Sequence, residues 1–190
     1  MPRLFAGIEI PEDIRDELSA LEMPLSGANW VDVDNLHLTL RFFGDISDAQ
    51  ARDVTDLLET MGANAFSLTI SGLGTFGTDP HTLFANIEPT PALEALARGC
   101  DRAASGAGLP PQKRPFRPHI TLARMQYADP IKLARFLTIN ATIKFEAIFI
   151  HRFALFSSKP RTGGGPYVTE QLYPLRGGLG VGEDEDGNPW

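Results

Sequence analysis

Four polar residues stand at spacings that could do chemistry. They are His37 and Thr39 in His37-Leu38-Thr39-Leu40, and His119 and Thr121 in His119-Ile120-Thr121-Leu122. Each motif lies in a run that alternates apolar with polar residues, the pattern of a β-strand, where residues two apart share a face. Each strand therefore sets an imidazole beside a hydroxyl, with aliphatic side chains anchoring the other face. Imidazole titrates near neutral pH, so one neutral ring can accept a proton while one charged ring gives a proton away. Two such pairs facing one space are equipped to cleave a phosphodiester without a metal. Water is deprotonated, the leaving alkoxide is protonated, and the hydroxyls donate to the nonbridging oxygens of the transition state. Of the four histidines, His81 and His151 are followed at the second position by Leu83 and Phe153, and they are read as structural residues.

The elements that must position these pairs follow from periodicity and punctuation. Leu4 to Ile10 reads as a strand ended by Pro11, which opens a helix to about Leu21 with Glu12 and Asp13 in its first turn. Residues 22–35 form a loop that holds Trp30. Leu36 to Phe43 is the first motif strand. Ser47 with Gln50 three residues on is a capping box for a helix to about Met61. Phe66 to Ile70 and Thr82 to Ile87 read as strands. Thr90-Pro91 opens a helix to about Ala104, and a turn-rich basic loop, Gly106 to Pro118, leads to the second motif strand, His119 to Met125. A helix from Pro130 to Phe136 follows, then strands Ile143–Ile148, Phe153–Ser157 and Tyr167–Tyr173, with a Gly-rich loop from Pro160 to Pro166.

Both halves thus contain helix, loop, motif strand, helix, strand, strand. The expected fold is α+β: two pseudo-symmetric lobes with mostly antiparallel sheets, helices outside, and a central groove onto which the motif strands face. A parallel doubly wound sheet is the competing architecture, but no Gly-rich phosphate loop joins a strand to a helix. One bilobal domain over residues 1–176 is expected, followed by a flexible acidic tail, 177–190, carrying Glu183-Asp184-Glu185-Asp186.

A net charge of -7 argues against a protein that coats nucleic acid nonspecifically, though a local cationic cleft is compatible with it. No apolar run approaches the roughly 20 residues that span a bilayer. The opening Met1-Pro2-Arg3-Leu4-Phe5 lacks the layout of a signal peptide, so a cytoplasmic protein is expected. The single cysteine, Cys100, excludes an intrachain disulfide and a cysteine-based metal cluster, and it reads as a small buried residue in a helix.

The runs Asn35-Leu36-His37-Leu38-Thr39-Leu40, Phe42-Phe43-Gly44 and Pro115-Phe116-Arg117-Pro118-His119-Ile120-Thr121-Leu122-Ala123-Arg124 resemble those of the 2H phosphoesterases. The bacterial RNA 2′,3′-cyclic phosphodiesterases, historically called 2′-5′ RNA ligases, are the nearest group in pattern. Arg3-Leu4-Phe5-Ala6-Gly7-Ile8-Glu9 and Gly165-Pro166-Tyr167 are similar to that group's first strand and final strand entry. The resemblance covers about residues 3–175. It implies a bilobal α+β fold, an active site between the lobes and no metal or cofactor. It implies opening of a ribose 2′,3′-cyclic phosphate to a 2′-phosphate, with His119 as the base that activates water and His37 as the acid at the departing 3′-oxygen. Joining RNA through a 2′-5′ linkage would be the reverse, with a ribose 5′-hydroxyl in place of water.

The resemblance also marks Arg124 as a phosphate contact, although strand parity puts it opposite His119 and Thr121 unless a bulge turns it inward. Arg41 shares the parity of His37 and Thr39 and is a second candidate cation. Lys113, Arg114 and Arg117 could guide an RNA backbone, or form a solvated surface. Tyr167, Phe43 and Trp30 could stack on a base or pack within the protein. The expected partners are RNA 3′ ends or small nucleotide cyclic phosphates, with no membrane and no obligate protein partner, so a monomer is expected. Two rivals keep the groove: a phosphodiesterase for another nucleotide or cyclic phosphate, and a noncatalytic RNA-end binding module. A His-ligated metal hydrolase would need carboxylates beside the pair, and neither motif strand supplies one next to its histidine.

Overall fold

The computed structural model describes residues 1–77, 79–158 and 165–178. Its strands are β1 (Arg3–Glu9), β2 (Ala28–Trp30), β3 (His37–Asp45), β4 (Phe66–Leu68), β5 (Ile70–Thr75), β6 (Thr82–Ile87), β7 (His119–Met125), β8 (Ile148–Ile150), β9 (Arg152–Ser158) and β10 (Val168–Pro174). Its helices are α1 (Glu12–Ser19), α2 (Asp48–Glu59), α3 (Pro91–Gly106) and α4 (Pro130–Ile139), with a 3₁₀ turn at Val33–Asn35.

Three of these helices, α2, α3 and α4, begin at a capping side chain. At α2 the Ser47 hydroxyl accepts from the Gln50 N–H at 3.2 Å, and the Gln50 side chain accepts from the Ser47 N–H at 3.2 Å, so two otherwise unpaired backbone donors are satisfied. Thr90 caps α3 through Leu93 N–H, and Asp129 caps α4 through Ile131 and Lys132. α2 and α3 pack on each other, and α3 lies against β3. The stripe that α3 buries (Leu93, Leu96, Ala97, Cys100, Ala103 and Ala104) joins the core beneath the motif strands. Cys100 is wholly buried there, and burial pushes its thiol up to about 12, so it is an inert core residue at neutral pH.

Every pairing between these named strands is antiparallel. The main sheet runs β10-β9-β1-β3-β7-β6-β5, with β2 on β7, while β4 and β8 form a separate pair. The two motif strands, β3 and β7, are its central neighbours, and they meet at Leu38 opposite Ile120. Both residues are fully buried. Removing either side chain to Ala would cost about 2–5 kcal/mol. Flanking this seam are two lobes, β10-β9-β1-β3 and β7-β6-β5. The lobes are not the two halves of the sequence. β5 and β6, which follow the first motif strand, pair beside the second, and β9 and β10, which follow the second, pair beside the first.

Several elements differ from the sequence reading. The segment 22–35 contains β2 and the 3₁₀ turn. Phe66–Ile70 is split, with β5 a further strand whose glycines hid its alternation. The strand expected at Ile143–Ile148 begins at Ile148. Ahead of it, Ile143 O and the Phe145 N–H bond singly to the edge of β5, too briefly for a ladder. Apart from Gly177 and Gly178, the expected acidic tail lies outside the described residues, as does most of the Pro160–Pro166 loop. No helix among the described residues is long and apolar enough to cross a membrane.

Candidate active site

Leu38 and Ile120 point into the core, so the residues on either side of each point to the other face of the sheet. Antiparallel pairing about Leu38–Ile120 sets His37 diagonally from His119, each beside the other motif's threonine. His37, Thr39, His119 and Thr121 all line one cavity of about 500 Å³, with Arg124 and Tyr167.

The two histidines are oriented alike. The Nδ1–H of His37 donates to the carbonyl of Asn35 at 2.7 Å, and that of His119 to the carbonyl of Arg117 at 2.6 Å. A carbonyl can only accept, so each neutral ring carries its proton on Nδ1 and keeps the Nε2 lone pair for the cavity. In His37 that lone pair accepts from the Thr39 hydroxyl at 3.0 Å. An aromatic ring stands at 84° to each imidazole with centroids 4.9 Å apart: Tyr167 at His37 and Phe76 at His119. Phe5 and Phe84 complete the two walls.

Burial holds the pKa of His37 below the ordinary 6.5. Its bond to Asn35 offsets part of that, and His119 and Arg124 add positive charge that lowers it further. His119 is lowered for the same first reason, opposed by its bond to Arg117 and reinforced by Arg124. Burial raises the Tyr167 phenol, which stays protonated at neutral pH.

The first seven residues of β3 and β7 have the same burial sequence, and both contain a bulge at the fourth. Register jumps from Gly7↔Thr39 to Ala6↔Arg41, leaving Leu40 unpaired with β1, and from Phe84↔Thr121 to Leu83↔Ala123, leaving Leu122 unpaired with β6. An extra residue reverses the facing of everything after it. The bulge at Leu122 therefore brings Arg124 round to the side of His119 and Thr121. There its Nη1 donates to Thr82 at 3.1 Å and the guanidinium lines the cavity.

The same device corrects two expectations in β3. Arg41, expected beside His37, is turned away and is 6% exposed. Its Nε lies 3.1 Å from an Asp101 carboxylate oxygen on α3, and it donates to the carbonyl of Pro110. Phe43 is likewise in the core, 8% exposed, and cannot stack on a ligand. Its neighbour Phe42 takes the cavity position, 42% exposed with the Arg3 guanidinium 5.0 Å from its ring centroid. Simple alternation hid Phe42; the matched spacing of the two motifs, His37 to Phe42 and His119 to Arg124, was the signal that could have found it.

Trp30 lines the cavity and donates to the carbonyl of Met23 at 3.2 Å. Asn35 is a second residue the motif search passed over. Besides orienting His37, its side-chain oxygen accepts from the Tyr167 N–H at 3.1 Å, and a Cβ on Gly165 would lie 2.3 Å from the same amide, so any larger residue there would displace the Asn35 side chain. His81 sits beside Asp79 at 3.6 Å and His151 lines a neighbouring groove; neither is in the cavity. Among the described residues no group of three or more His, Cys, Asp or Glu side chains is arranged to hold a metal ion.

The profile of the 2′-5′ RNA ligase superfamily matches residues 10–160. The chain belongs to this superfamily. An RNA 2′,3′-cyclic phosphodiesterase of Aquifex aeolicus is 31% identical over 172 residues, covering 87% of this chain and 89% of that protein. One from Thermotoga maritima is 28% identical over 187 residues, covering 93% and 97%. The fold matches E. coli LigT solved with 3′-AMP at a TM-score of 0.75 and 25% identity, over 92% of this chain and 98% of that one. The expected α+β, mostly antiparallel architecture of the superfamily is the one observed.

Proposed function

We propose that this enzyme hydrolyses 2′,3′-cyclic phosphates at RNA ends to 2′-phosphates by acid–base catalysis between His37 and His119. The observation that carries the reading is the pair of imidazoles across the β3–β7 seam, each fixed through Nδ1 with Nε2 left for the cavity. His119 Nε2 takes a proton from water as its oxygen attacks phosphorus. The P–O3′ bond breaks, and His37 Nε2–H delivers a proton to O3′. The Thr39 and Thr121 hydroxyls and the Arg124 guanidinium donate to the nonbridging oxygens, where charge builds in the transition state. Tyr167 and Phe42 flank the nucleoside. General acid–base help of about 10²–10⁴-fold from each ring, added to positioning, gives the acceleration.

The lowered histidine pKa values fit a site that loads its proton with its substrate. In the free protein both rings favour the neutral form, which suits His119 as base. A bound phosphate anion offsets Arg124 and favours protonation of His37. The bilobal domain, residues 1–176, supplies all these groups, and its setting is the cytoplasm.

The test is incubation with an oligoribonucleotide bearing a 2′,3′-cyclic end, in the presence of EDTA, with the product's phosphate position identified. A 2′-phosphate is expected. No ring opening, or complete inhibition by the chelator, would overturn the reading; a 3′-phosphate would show that the other oxygen departs.

A further inference from the structure

We infer that the loop at residues 113–117 is a track for the backbone of an RNA strand, so that the enzyme favours a cyclic phosphate at the end of a polymer over the same group on a single nucleotide. The inference rests on the proposed reaction and adds the size of its substrate.

Charge is sharply segregated along this chain. Its net charge is -7, yet no Asp or Glu occurs between Asp101 and Asp129, a stretch containing Arg102, Lys113, Arg114, Arg117 and Arg124. Arg124 is in the cavity. Lys113, Arg114 and Arg117 are exposed, and no carboxylate among the described residues forms an ion pair with any of them.

The longer connection that carries this loop, Gly106 to Pro118, is held at two points, on the core side of β3 and on the cavity side of β7. The carbonyl of Pro110 accepts from Arg41 of β3, and the carbonyl of Arg117 accepts from His119 of β7. Pro110, Pro111, Pro115 and Pro118 restrict its backbone further. The buried Arg41 therefore anchors the connection at Pro110, ahead of the loop. Cations on a pinned loop bind an anion at a smaller entropic cost than cations on a floppy one.

The groove that adjoins the cavity at His37 has the other sign. Past His37 lies a groove of about 450 Å³ that includes Glu9, Glu12 and Asp34. Its two arginines are already engaged, Arg15 with Asp34 at 3.3 Å and Arg152 with Glu9 at 3.1 Å. A strand leaving the cavity that way meets carboxylates, and one leaving past Arg117, two residues before His119, meets cations with no ion-pair partner among the described residues. Screening over about 8 Å at physiological salt confines the benefit to a strand that follows the loop closely.

Each cation that neutralises a phosphate on a single strand contributes about -0.7 to the slope of log affinity against log salt. The test compares kcat/KM for a 2′,3′-cyclic mononucleotide and for a short oligoribonucleotide with the same end, in the unaltered chain and in Lys113→Gln/Arg114→Gln. The unaltered chain is expected to favour the oligomer. The double variant should keep mononucleotide turnover and make the oligomer's slope shallower by about 1.4, a difference of about sevenfold between roughly 50 and 200 mM salt. Lys113→Arg/Arg114→Lys should restore it. Equal kcat/KM for the two substrates, or an unchanged slope in the glutamine variant, would overturn the track while leaving the reaction standing. Failure of the unaltered chain to open either substrate would overturn both.

Discussion

The lobe of His37 and the lobe of His119 share a backbone plan and differ in what they present on it. Each motif strand bulges at the fourth residue, ties its imidazole to a carbonyl two residues back, and sets an aromatic ring at 84° to it. At the fifth position after the histidine, one lobe puts an aromatic ring, Phe42, into the cavity and the other a guanidinium, Arg124. At the fourth, Arg41 ties β3 to α3 and to Pro110, whereas Ala123 packs silently. The shared plan gives the cavity two imidazoles of similar geometry, the proton-transfer groups of the proposed reaction. The departures from symmetry give the cavity a direction, with a guanidinium on one lobe and a flat apolar ring on the other.

The largest effect should come from breaking what the lobes share. His37→Ala or His119→Ala should each lower single-turnover kcat by at least about 10²–10⁴-fold, and the double variant should lose little more, because the two rings act as a unit. Independent, multiplying losses would contradict the shared step. Next comes the point of difference. Arg124→Ala removes a charge-assisted donor and should reduce kcat/KM by about 10–100-fold on any cyclic phosphate. Phe42→Ala should cost about 5–100-fold on nucleoside substrates and almost nothing on ribose 2′,3′-cyclic phosphate, which has no base to stack. Similar losses on both substrates would remove Phe42 from base recognition.

The pH dependence sharpens the comparison further. Both rings favour the neutral form when free, so the bell of kcat/KM should centre on the acid side of about 6.5, and that of kcat, which reports the bound complex, should lie at higher pH. The same shifts carry a stability signature. A histidine whose folded pKa is lowered leaves stability intact above its unfolded value and loses it as pH falls from about 6.5 toward the folded value, because the unfolded chain binds the proton more readily. Thermal unfolding against pH should show this fall, and His37→Asn should flatten it. The smallest effect on turnover is expected from Arg41→Met on the cyclic mononucleotide, since Arg41 points away from the cavity. A change in KM for that substrate would place Arg41 nearer the chemistry than its burial indicates.

The sequence alone determined the parts that local physics controls. Capping at Ser47, Thr90 and Asp129 started helices where the side chains can reach free N–H groups. Alternation set the facing of His37, Thr39, His119 and Thr121, because parity within three residues leaves no room for a bulge. The repeated motif pointed to two lobes and to the chemistry. Beyond the fourth residue of each motif, parity failed. A bulge is a property of two strands in register, so the exchange of Phe43 for Phe42 and the withdrawal of Arg41 depend on β1 as much as on β3. Tertiary pairing alone decided that β5 and β6 serve the lobe of the other motif, that Asn35 holds Tyr167 from 132 residues away, and that Arg41 of β3 holds the connection leading to the second motif strand at Pro110. Those are contacts between distant segments, and each leaves too faint a mark on its own stretch of chain to be read there.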